Sequence, residues 1–142
     1  MIEITPAFKE AFTLLDSGKN VFIHGRPGTG KSTFIQIFKS RIEESGKKCA
    51  LLAYTGVSAL NIDGQTLNSF YRINPLNYDD VPKYLSRFIK KIDVFIIDEV
   101  SMLRADLFDE INRRMKIFCK NSLPFGGKQL VLVGDLYQLP PV

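Results

Sequence analysis

The amino-acid sequence predicts an α/β domain in which a central, mainly parallel sheet is covered by helices on both faces. Four short apolar runs have the length of strands, and none of them alternates apolar with polar residues. Segments with apolar residues at helical spacing lie between these runs, and a glycine-rich segment joins the first run to the helix that follows it. Strands that are buried on both faces are uniformly apolar, and their alternation with helices favours a parallel sheet.

The first part of the chain is predicted to alternate helices with strands. Thr5 as N-cap and Pro6 as the first helical residue predict a short helix at the start. A second helix is predicted over 31–45, where apolar residues share one face, and Gly46 ends it. The two strands of this part are predicted at 21–23 and 50–54.

The second part continues the alternation after a predicted loop at 74–80. A short helix over 82–91 is expected to turn Leu85, Phe88 and Ile89 inward. A longer helix over 106–118 carries acidic residues early and basic residues late, as the helix dipole favours. The third and fourth strands are predicted at 94–97 and 130–133.

Length and composition indicate one domain with an ordinary core. The 142 residues are 45% apolar and 24% charged, and no apolar stretch is long enough to cross a membrane. The start of the chain lacks a basic region followed by an apolar one, so we expect a cytoplasmic location and no membrane partner. We expect a monomer.

The charge balance is compatible with a polyanionic partner but does not require one. The chain has a net charge of +4. Its basic doublets fall near predicted helix ends and are interpreted as solvated surface: Lys47-Lys48, Lys90-Lys91 and Arg113-Arg114. The two cysteines, Cys49 and Cys119, are interpreted as packing residues.

A glycine-rich segment between the first strand and the second helix has the pattern G-x-x-x-x-G-K-[ST] of a phosphate-binding loop. Its glycines let backbone N–H groups surround phosphates, Lys31 reaches the β- and γ-phosphates, and the Ser32 hydroxyl can ligate Mg²⁺. The predicted ATP-binding residues are Gly25, Pro27, Gly28, Thr29, Gly30, Lys31, Ser32 and Thr33.

Two adjacent carboxylates follow the third predicted strand. Parallel strands deliver residues to the carboxyl edge of the sheet, where ligands of open α/β sheets bind. Asp98 is therefore predicted to hold Mg²⁺, directly or through water, and Glu99 to orient or deprotonate the attacking water. Read alone, an apolar run that ends in Asp-Glu is also compatible with a simple strand-to-loop boundary.

A polar residue is also expected at the same edge after the fourth strand. Gln138 lies in the segment 134–141 and is predicted to contact the γ-phosphate or its water, a role that glutamine has in other phosphate-loop enzymes. A polar turn residue is the alternative. His24, the only histidine, ends the first strand and is interpreted as structural.

Polar residues after the second strand are suited to binding the phosphates of a nucleic acid. They lie in the segments 55–61 and 66–70, where Phe70 is either a base-stacking residue or part of the core.

Together these segments resemble the Pif/RecD-like superfamily 1 DNA helicases, and the Pif branch most closely. The segment 25–33 is similar to motif I, 54–70 to motif Ia and its extension, 98–102 to motif II, and 124–142 to the run into motif III. The resemblance covers nearly the whole chain. Its most specific parts are the stretches 59–67 and 124–127.

The resemblance implies a RecA-like phosphate-loop NTPase fold in three layers, with the motif III strand between the strands of motifs I and II and Gln138 beside the γ-phosphate. It also implies ATP with Mg²⁺ and 5′-to-3′ movement on single-stranded DNA. The predicted DNA-binding residues are Thr55, Gly56, Thr66, Asn68 and Phe70. Residues 1–142 would then be one partial domain that ends after motif III, and the second RecA-like domain with its arginine finger would be absent from this chain.

Two positions depart from the family pattern. Where members usually carry an adenine-contacting glutamine, the chain has Phe8-Lys9-Glu10, and Asn68 stands where histidine is common. Two other functions remain open. A nucleotide-dependent switch or binding module is one, and a phosphate-loop kinase is the other, although Asp98-Glu99 and Gln138 suit water activation better.

Overall fold

The computed structural model describes residues 6–24 and 31–134, and these residues form six helices and five strands. The helices are α1 (Pro6–Asp16), α2 (Lys31–Glu44), α3 (Gly56–Asn61), α4 (Leu67–Tyr71), α5 (Leu85–Lys90) and α6 (Ala105–Cys119). The strands are β1 (Val21–His24), β2 (Cys49–Ala53), β3 (Gln65–Thr66), β4 (Val94–Asp98) and β5 (Gln129–Gly134). Two 3₁₀ turns occupy Val100–Met102 and Pro124–Gly127.

The five strands form one parallel sheet in the order β1-β5-β4-β2-β3. The fourth predicted strand, β5, therefore lies between the first strand and the strand that ends in Asp98, which confirms the expected order. Register pairs at the carboxyl ends join His24 with Gly134 and Ala53 with Asp98. These pairs align the ends of four strands along one edge of the sheet.

Alternate residues of the central strands enter two separate cores, one on each face of the sheet. Phe95 and Ile97 of β4 pack with α4, α5 and α6, whereas Val94 and Ile96 pack with α1, α2 and α3. All four side chains are at most 1% exposed. A sheet that is buried on both faces gives the three-layer architecture that the uniformly apolar runs predict. Within the described ranges, no helix has the length and apolar character needed to span a membrane.

The segment between β2 and α5 has more regular structure than the sequence predicts. It contains α3, β3 and α4, and the first and last of these begin at a threonine, Thr55 or Thr66, whose hydroxyl accepts a hydrogen bond from a backbone N–H three residues later. Helices of six and five residues are too short to show a helical period in the sequence. Their capping threonines are the signal that could have revealed them.

Helix α5 begins at Leu85, three residues after the predicted start. The N–H of Leu85 donates to the carbonyl of Pro82, so the residues before the helix form a turn. Leu85 and Ile89 are buried as predicted, but Phe88 is 55% exposed, so its predicted inward position is wrong. Its ring still lies 5.8 Å from that of Phe70.

The interpretation of Arg113-Arg114 as solvated surface is wrong for Arg114, which is fully buried. Its Nε donates to Glu110 at 2.7 Å, and its two Nη atoms donate to carbonyls of the last residue of α4 and of the segment that follows it. These carbonyls belong to Tyr71, Arg72, Tyr78 and Asp80. Five donors in a fixed fork let one arginine bind several carbonyls. The doublets Lys47-Lys48 and Lys90-Lys91 are exposed, as predicted.

The turn that joins α6 to β5 is left-handed at three consecutive residues, namely Phe125, Gly126 and Gly127. The N–H of Phe125 donates to the side chain of Asn112 in α6 at 2.8 Å. A Cβ atom on Gly126 would lie 2.7 Å from the carbonyl oxygen of Met115. This close approach is the physical reason for glycine at that position.

Candidate nucleotide and nucleic-acid site

The candidate nucleotide site lies at the carboxyl edge of the sheet, where β1 ends at His24 and α2 begins at Lys31. The connection 25–30 lies outside the described residues, so the predicted contacts of Gly25, Pro27, Gly28, Thr29 and Gly30 remain predictions. Lys31 and Ser32 form the first turn of α2, and Thr33 is exposed on it. A strand, a short connection and a helix in this order are the context that a phosphate-binding loop requires.

Asp98 is the last residue of β4, at the same edge and two strands from β1. Neighbouring strands are about 4.8 Å apart, so β4 lies about 10 Å from β1. The side chain of Asp98 is half-buried. A half-buried carboxylate across the edge from the start of a helix fits Mg²⁺, which proteins usually bind with one or two oxygen ligands while nucleotide phosphates and water supply the others.

Glu99 follows at the turn out of β4 and has left-handed backbone angles, with φ 60° and ψ 33°. Its N–H donates to Oδ1 of Asp98 at 2.9 Å. This hydrogen bond and the unusual φ turn the chain sharply after the strand. Its carboxylate is half-buried, which is an arrangement compatible with a general base.

The carboxylate of Glu99 is held by Thr55, a contact that sequence analysis did not predict. Oε1 of Glu99 accepts a hydrogen bond from the backbone N–H of Thr55 at 3.1 Å and another from its hydroxyl at 2.9 Å. The contact arises because β2 and β4 are neighbours and Ala53 pairs with Asp98. The residues that follow the two strands therefore lie side by side.

The end of β5 packs directly against the turn after β4. A Cβ atom on Gly134 would lie 3.0 Å from Cγ1 of Val100 and 3.5 Å from the N atom of Ser101. The hydroxyl of Ser101 is buried and has no hydrogen-bond partner in the described part of the chain. Gln138 comes four residues after Gly134, outside the described residues, so its contact with the γ-phosphate remains a prediction.

The structure brings four of the five predicted DNA-binding residues to the carboxyl ends of β2 and β3. Thr55 and Thr66 are half-buried N-cap residues, whereas Gly56 and Asn68 are exposed. The register pair of Ala53 with Thr66 places the two capping threonines at one edge. This group lies on the side of β4 that faces away from β1.

Phe70 does not belong to this group, and its predicted base-stacking role is wrong. Its side chain is 8% exposed and packs in the core on the α4–α6 face of the sheet. The ring lies 4.9 Å from that of Tyr71 and 6.2 Å from that of Phe95, in edge-on geometry. A ring that is surrounded in this way cannot stack on a base. The alternative interpretation of Phe70 as a core residue is confirmed.

Comparison with known proteins gives matches along almost the whole chain. The family model of the PIF1-like helicases matches residues 5–142. The chain is 37% identical over 142 residues to the ATP-dependent DNA helicase PIF1 of Emericella nidulans, covering 91% of this chain and 19% of that protein. It is 34% identical over 153 residues to the ATP-dependent DNA helicase Pif1 of Bdellovibrio bacteriovorus, covering 99% and 34% respectively.

Solved structures of Pif1 helicases also match the whole chain. The crystal structure of the Pif1 helicase from Bacteroides in complex with ADP-AlF3 and ssDNA matches with a TM-score of 0.85 and 37% identity, over 100% of this chain and 34% of that one. AMPPCP-bound DnaA from Aquifex aeolicus, at 20% identity and a TM-score of 0.55, shares the fold alone. The chain spans between about a fifth and a third of the length of these helicases.

Proposed function

Because the chain belongs to the PIF1-like helicase family, we propose that it is the ATP-binding motor domain of a DNA helicase or translocase. One observation carries the proposal. Three parts of the chain meet at one edge of a parallel sheet: the start of α2, the Asp98-Glu99 turn and the end of β5. The strand order places β5 between β1, which precedes α2, and β4, which ends at Asp98. This is the edge at which open α/β sheets bind ligands.

The domain is proposed to bind ATP through the phosphate-binding loop, with Lys31 as the contact to the β- and γ-phosphates. Ser32 and Asp98 would hold the magnesium ion. Bound there, Mg²⁺ would neutralise charge on the phosphate oxygens. The similarity to a helicase bound to ADP-AlF3 supports the nucleotide part of this proposal.

The proposed reaction is hydrolysis of the γ-phosphate. A water molecule attacks the γ-phosphorus as its proton moves to the carboxylate of Glu99, and the bond to the β-phosphate oxygen breaks in line. ADP and inorganic phosphate are the products. Gln138 is proposed to orient the water or to contact the γ-phosphate.

The proposed nucleic-acid partner is single-stranded DNA, with 5′-to-3′ movement implied by the family. Thr55, Gly56, Thr66 and Asn68 supply backbone and hydroxyl donors for phosphates at the carboxyl ends of β2 and β3. The similar Bacteroides helicase is bound to ssDNA. Unwinding is proposed only for a protein that joins this domain to a second RecA-like domain.

Nucleotide binding tests the first part of the proposal. We expect a fluorescent ATP analogue to bind the chain when Mg²⁺ is present, and Lys31→Ala to weaken binding strongly because a phosphate charge loses its partner. Glu99→Gln, which leaves the loop intact, should bind the analogue as well as the wild type. Tight binding that is independent of Lys31 would contradict the proposal.

A DNA-stimulated ATPase assay separates the motor from a nucleotide-dependent switch. A protein that contains this domain and a second RecA-like domain should hydrolyse ATP faster when single-stranded DNA is added. ATP binding without any effect of DNA would instead favour the switch.

A further inference from the structure

Hydrogen bonds join Thr55, one of the proposed DNA-binding residues, to Glu99, the candidate general base. A single carboxylate oxygen, Oε1 of Glu99, accepts both donors of Thr55. Charge-assisted hydrogen bonds are stronger than neutral ones, and two of them hold this half-buried side chain. The position of Glu99 therefore depends on whether Thr55 is free to donate.

The sheet order shows which way this contact pulls the carboxylate. Strand β4 has β5 and then β1 on one side, and β2 on the other. The nucleotide-binding segment follows β1, whereas Thr55 follows β2. Hydrogen bonds from Thr55 thus hold the carboxylate of Glu99 on the β2 side of β4, whereas the γ-phosphate would lie on the β1 side.

We propose that Thr55 restrains Glu99 in the DNA-free domain, and that a DNA phosphate that takes over the donors of Thr55 releases the carboxylate for the attacking water. Thr55 is thus a positioning residue. The proposal rests on the proposed function, which places DNA at Thr55. It provides a direct physical route by which DNA would stimulate hydrolysis.

Competition between the two acceptors follows from their chemistry. A phosphate oxygen and the Glu99 carboxylate are both anionic acceptors, so they compete for the same N–H and O–H groups and repel each other. The Thr55 hydroxyl also accepts a hydrogen bond from the N–H of Ser58 at 3.3 Å. Redirecting its proton from Glu99 to a phosphate leaves this cap in place.

Thermodynamic linkage makes the proposal measurable without hydrolysis. If DNA binding releases Glu99, then breaking the contact by mutation must strengthen DNA binding by the same coupling. Glu99→Asp keeps the negative charge but is one methylene shorter, so it withdraws from Thr55. Glu99→Gln loses the charge but keeps an oxygen that can accept from Thr55.

The experiment measures the affinity of the chain for a fluorescein-labelled oligodeoxythymidine at one salt concentration. We expect Glu99→Asp to bind it about three- to tenfold more tightly than the wild type, because water replaces Glu99 as the acceptor for the two donors of Thr55 and limits the net gain. In a Thr55→Val background, which lacks the hydroxyl, the gain from Glu99→Asp should shrink at least twofold. Thr55→Ser, which keeps the hydroxyl, should preserve the full gain.

Thermal unfolding identifies variants that fail to fold. If Thr55→Val is among them, the comparison of Glu99→Asp with Glu99→Gln still tests the proposal, because only Glu99→Asp is expected to bind DNA more tightly. Unchanged affinity in Glu99→Asp would overturn the proposal, as would a gain from Glu99→Asp that is equally large in the wild-type and Thr55→Val backgrounds. Tighter binding in Glu99→Gln alone would show that only charge matters and would also overturn it. An oligonucleotide that binds none of the variants would contradict the DNA part of the proposed function as well.

A second inference rests on a basic groove at the opposite edge of the sheet. We define the basic groove as the depression of about 710 Å³ that runs along α5 and reaches the residue after α6. It is lined by Lys83, Tyr84, Ser86, Arg87, Lys90, Lys91 and Lys120. Five of these residues are cationic and none is acidic. In the described ranges, none of the five cations forms an ion pair.

The groove contains the entire positive excess of the protein. The chain has a net charge of +4, so with five cations in the groove the remaining residues carry a net charge of −1. The ends of α5 and α6 offset only about half a charge each through the helix dipole. A concentrated positive patch with an exposed aromatic residue, Tyr84 at 73% exposure, fits a polyanion.

We infer that the basic groove binds the phosphate backbone of nucleic acid outside the carboxyl edge. Five- and six-residue strands separate the two edges by about 16–20 Å. The basic groove therefore lies apart from Thr55 and Thr66, which are proposed to bind DNA at the carboxyl edge. A chain that binds DNA at both places would contact it over a longer path.

The salt dependence of DNA binding tests this surface. The variant Lys83→Gln/Arg87→Gln removes two unpaired cations, and the matched variant Lys39→Gln/Arg104→Gln removes two that pair with Glu43 and Asp106. Each lost phosphate contact lowers the slope of log affinity against log salt by about 0.7–0.9. We expect Lys83→Gln/Arg87→Gln to lower this slope by about 1.4–1.8 in magnitude, for two lost phosphate contacts, and the matched variant to change it little. Equal losses in both variants would overturn the inference, and so would no loss in either.

Discussion

At the scale of single residues, the buried Arg114 connects α6 to the segment after α4. It is fully buried and donates to Glu110 and to backbone carbonyls that include Tyr71 and Asp80. Arg113 pairs with the same carboxylate, but its side chain is 47% exposed. The two neighbouring arginines thus offer a matched comparison of a buried and an exposed ion pair.

Arg114→Met should cost much more stability than Arg113→Met. The first removes a fully buried charge partner of Glu110, which keeps only Arg113. It also leaves the carbonyls of Tyr71 and Asp80 without the donors of Arg114. We expect this to cost about 3–5 kcal/mol. The second removes a partly solvated partner and should cost about 0–1 kcal/mol. Urea unfolding followed by circular dichroism would give both free energies. Equal losses would show that the burial of Arg114 does not matter.

Glu110 should make stability depend on pH in the acid range. Burial alone would raise the pKa of this carboxyl, but hydrogen bonds from Arg113 and Arg114 lower it below the ordinary glutamate value. A depressed folded-state pKa gives stability that is fully present above the unfolded pKa and is lost as pH falls through the folded one. Between pH 7 and pH 3, wild type should therefore lose more free energy of unfolding than Glu110→Gln. A parallel loss in both proteins would contradict the assignment.

At the scale of elements, the long segments could be predicted and the short ones could not. The strands β1, β2, β4 and β5 are uniformly apolar runs, and α6 shows three clear turns of one-sided burial. By contrast α3, β3 and α4 are two to six residues long and owe their form to capping threonines and to packing on β2. The Thr55–Glu99 contact depends on the neighbouring positions of β2 and β4, which local sequence patterns do not contain.

Two glycines with positive φ, Gly126 and Gly46, differ in the space available to a Cβ atom. Gly126→Ala places a Cβ atom at positive φ and 2.7 Å from the carbonyl of Met115. Gly46→Ala has positive φ as well, but no atom lies within 4 Å of its Cβ. We expect Gly46→Ala to cost about 1–2 kcal/mol from backbone strain alone, and Gly126→Ala to cost more. Chemical denaturation would give the free energy of unfolding of both variants. An equal loss would show that the turn can shift to accommodate the Cβ atom of Gly126→Ala.

At the scale of the whole molecule, two cores hold a rigid sheet whose carboxyl edge gathers residues from distant parts of the chain. Lys31 begins the helix after β1, Glu99 follows β4, and Thr55 follows β2. Sequence motifs could place the first two at this edge because parallel strands share a direction. They could not show that Glu99 turns toward Thr55, since that contact depends on side-chain geometry.

Residues 1–142 on their own should hydrolyse ATP slowly. An arginine finger from a second domain accelerates phosphate-loop enzymes by about 10³–10⁵. The chain should therefore bind ATP and release phosphate very slowly, and a protein that adds a second RecA-like domain should be faster by roughly that factor. Phosphate release followed with a fluorescent phosphate sensor would compare the two, and rapid turnover by residues 1–142 alone would show that fast hydrolysis does not need a second domain.

Binding and hydrolysis of ATP at this edge are tested most directly by a single-turnover measurement with Mg²⁺ and radiolabelled ATP, made on a protein that joins this domain to a second RecA-like domain. Wild type and Glu99→Gln should bind ATP equally, while phosphate formation in Glu99→Gln should be about 10²–10⁴-fold slower because the base is lost. Equal rates of phosphate formation in the two proteins, or no Mg²⁺-dependent ATP binding in either, would contradict the account.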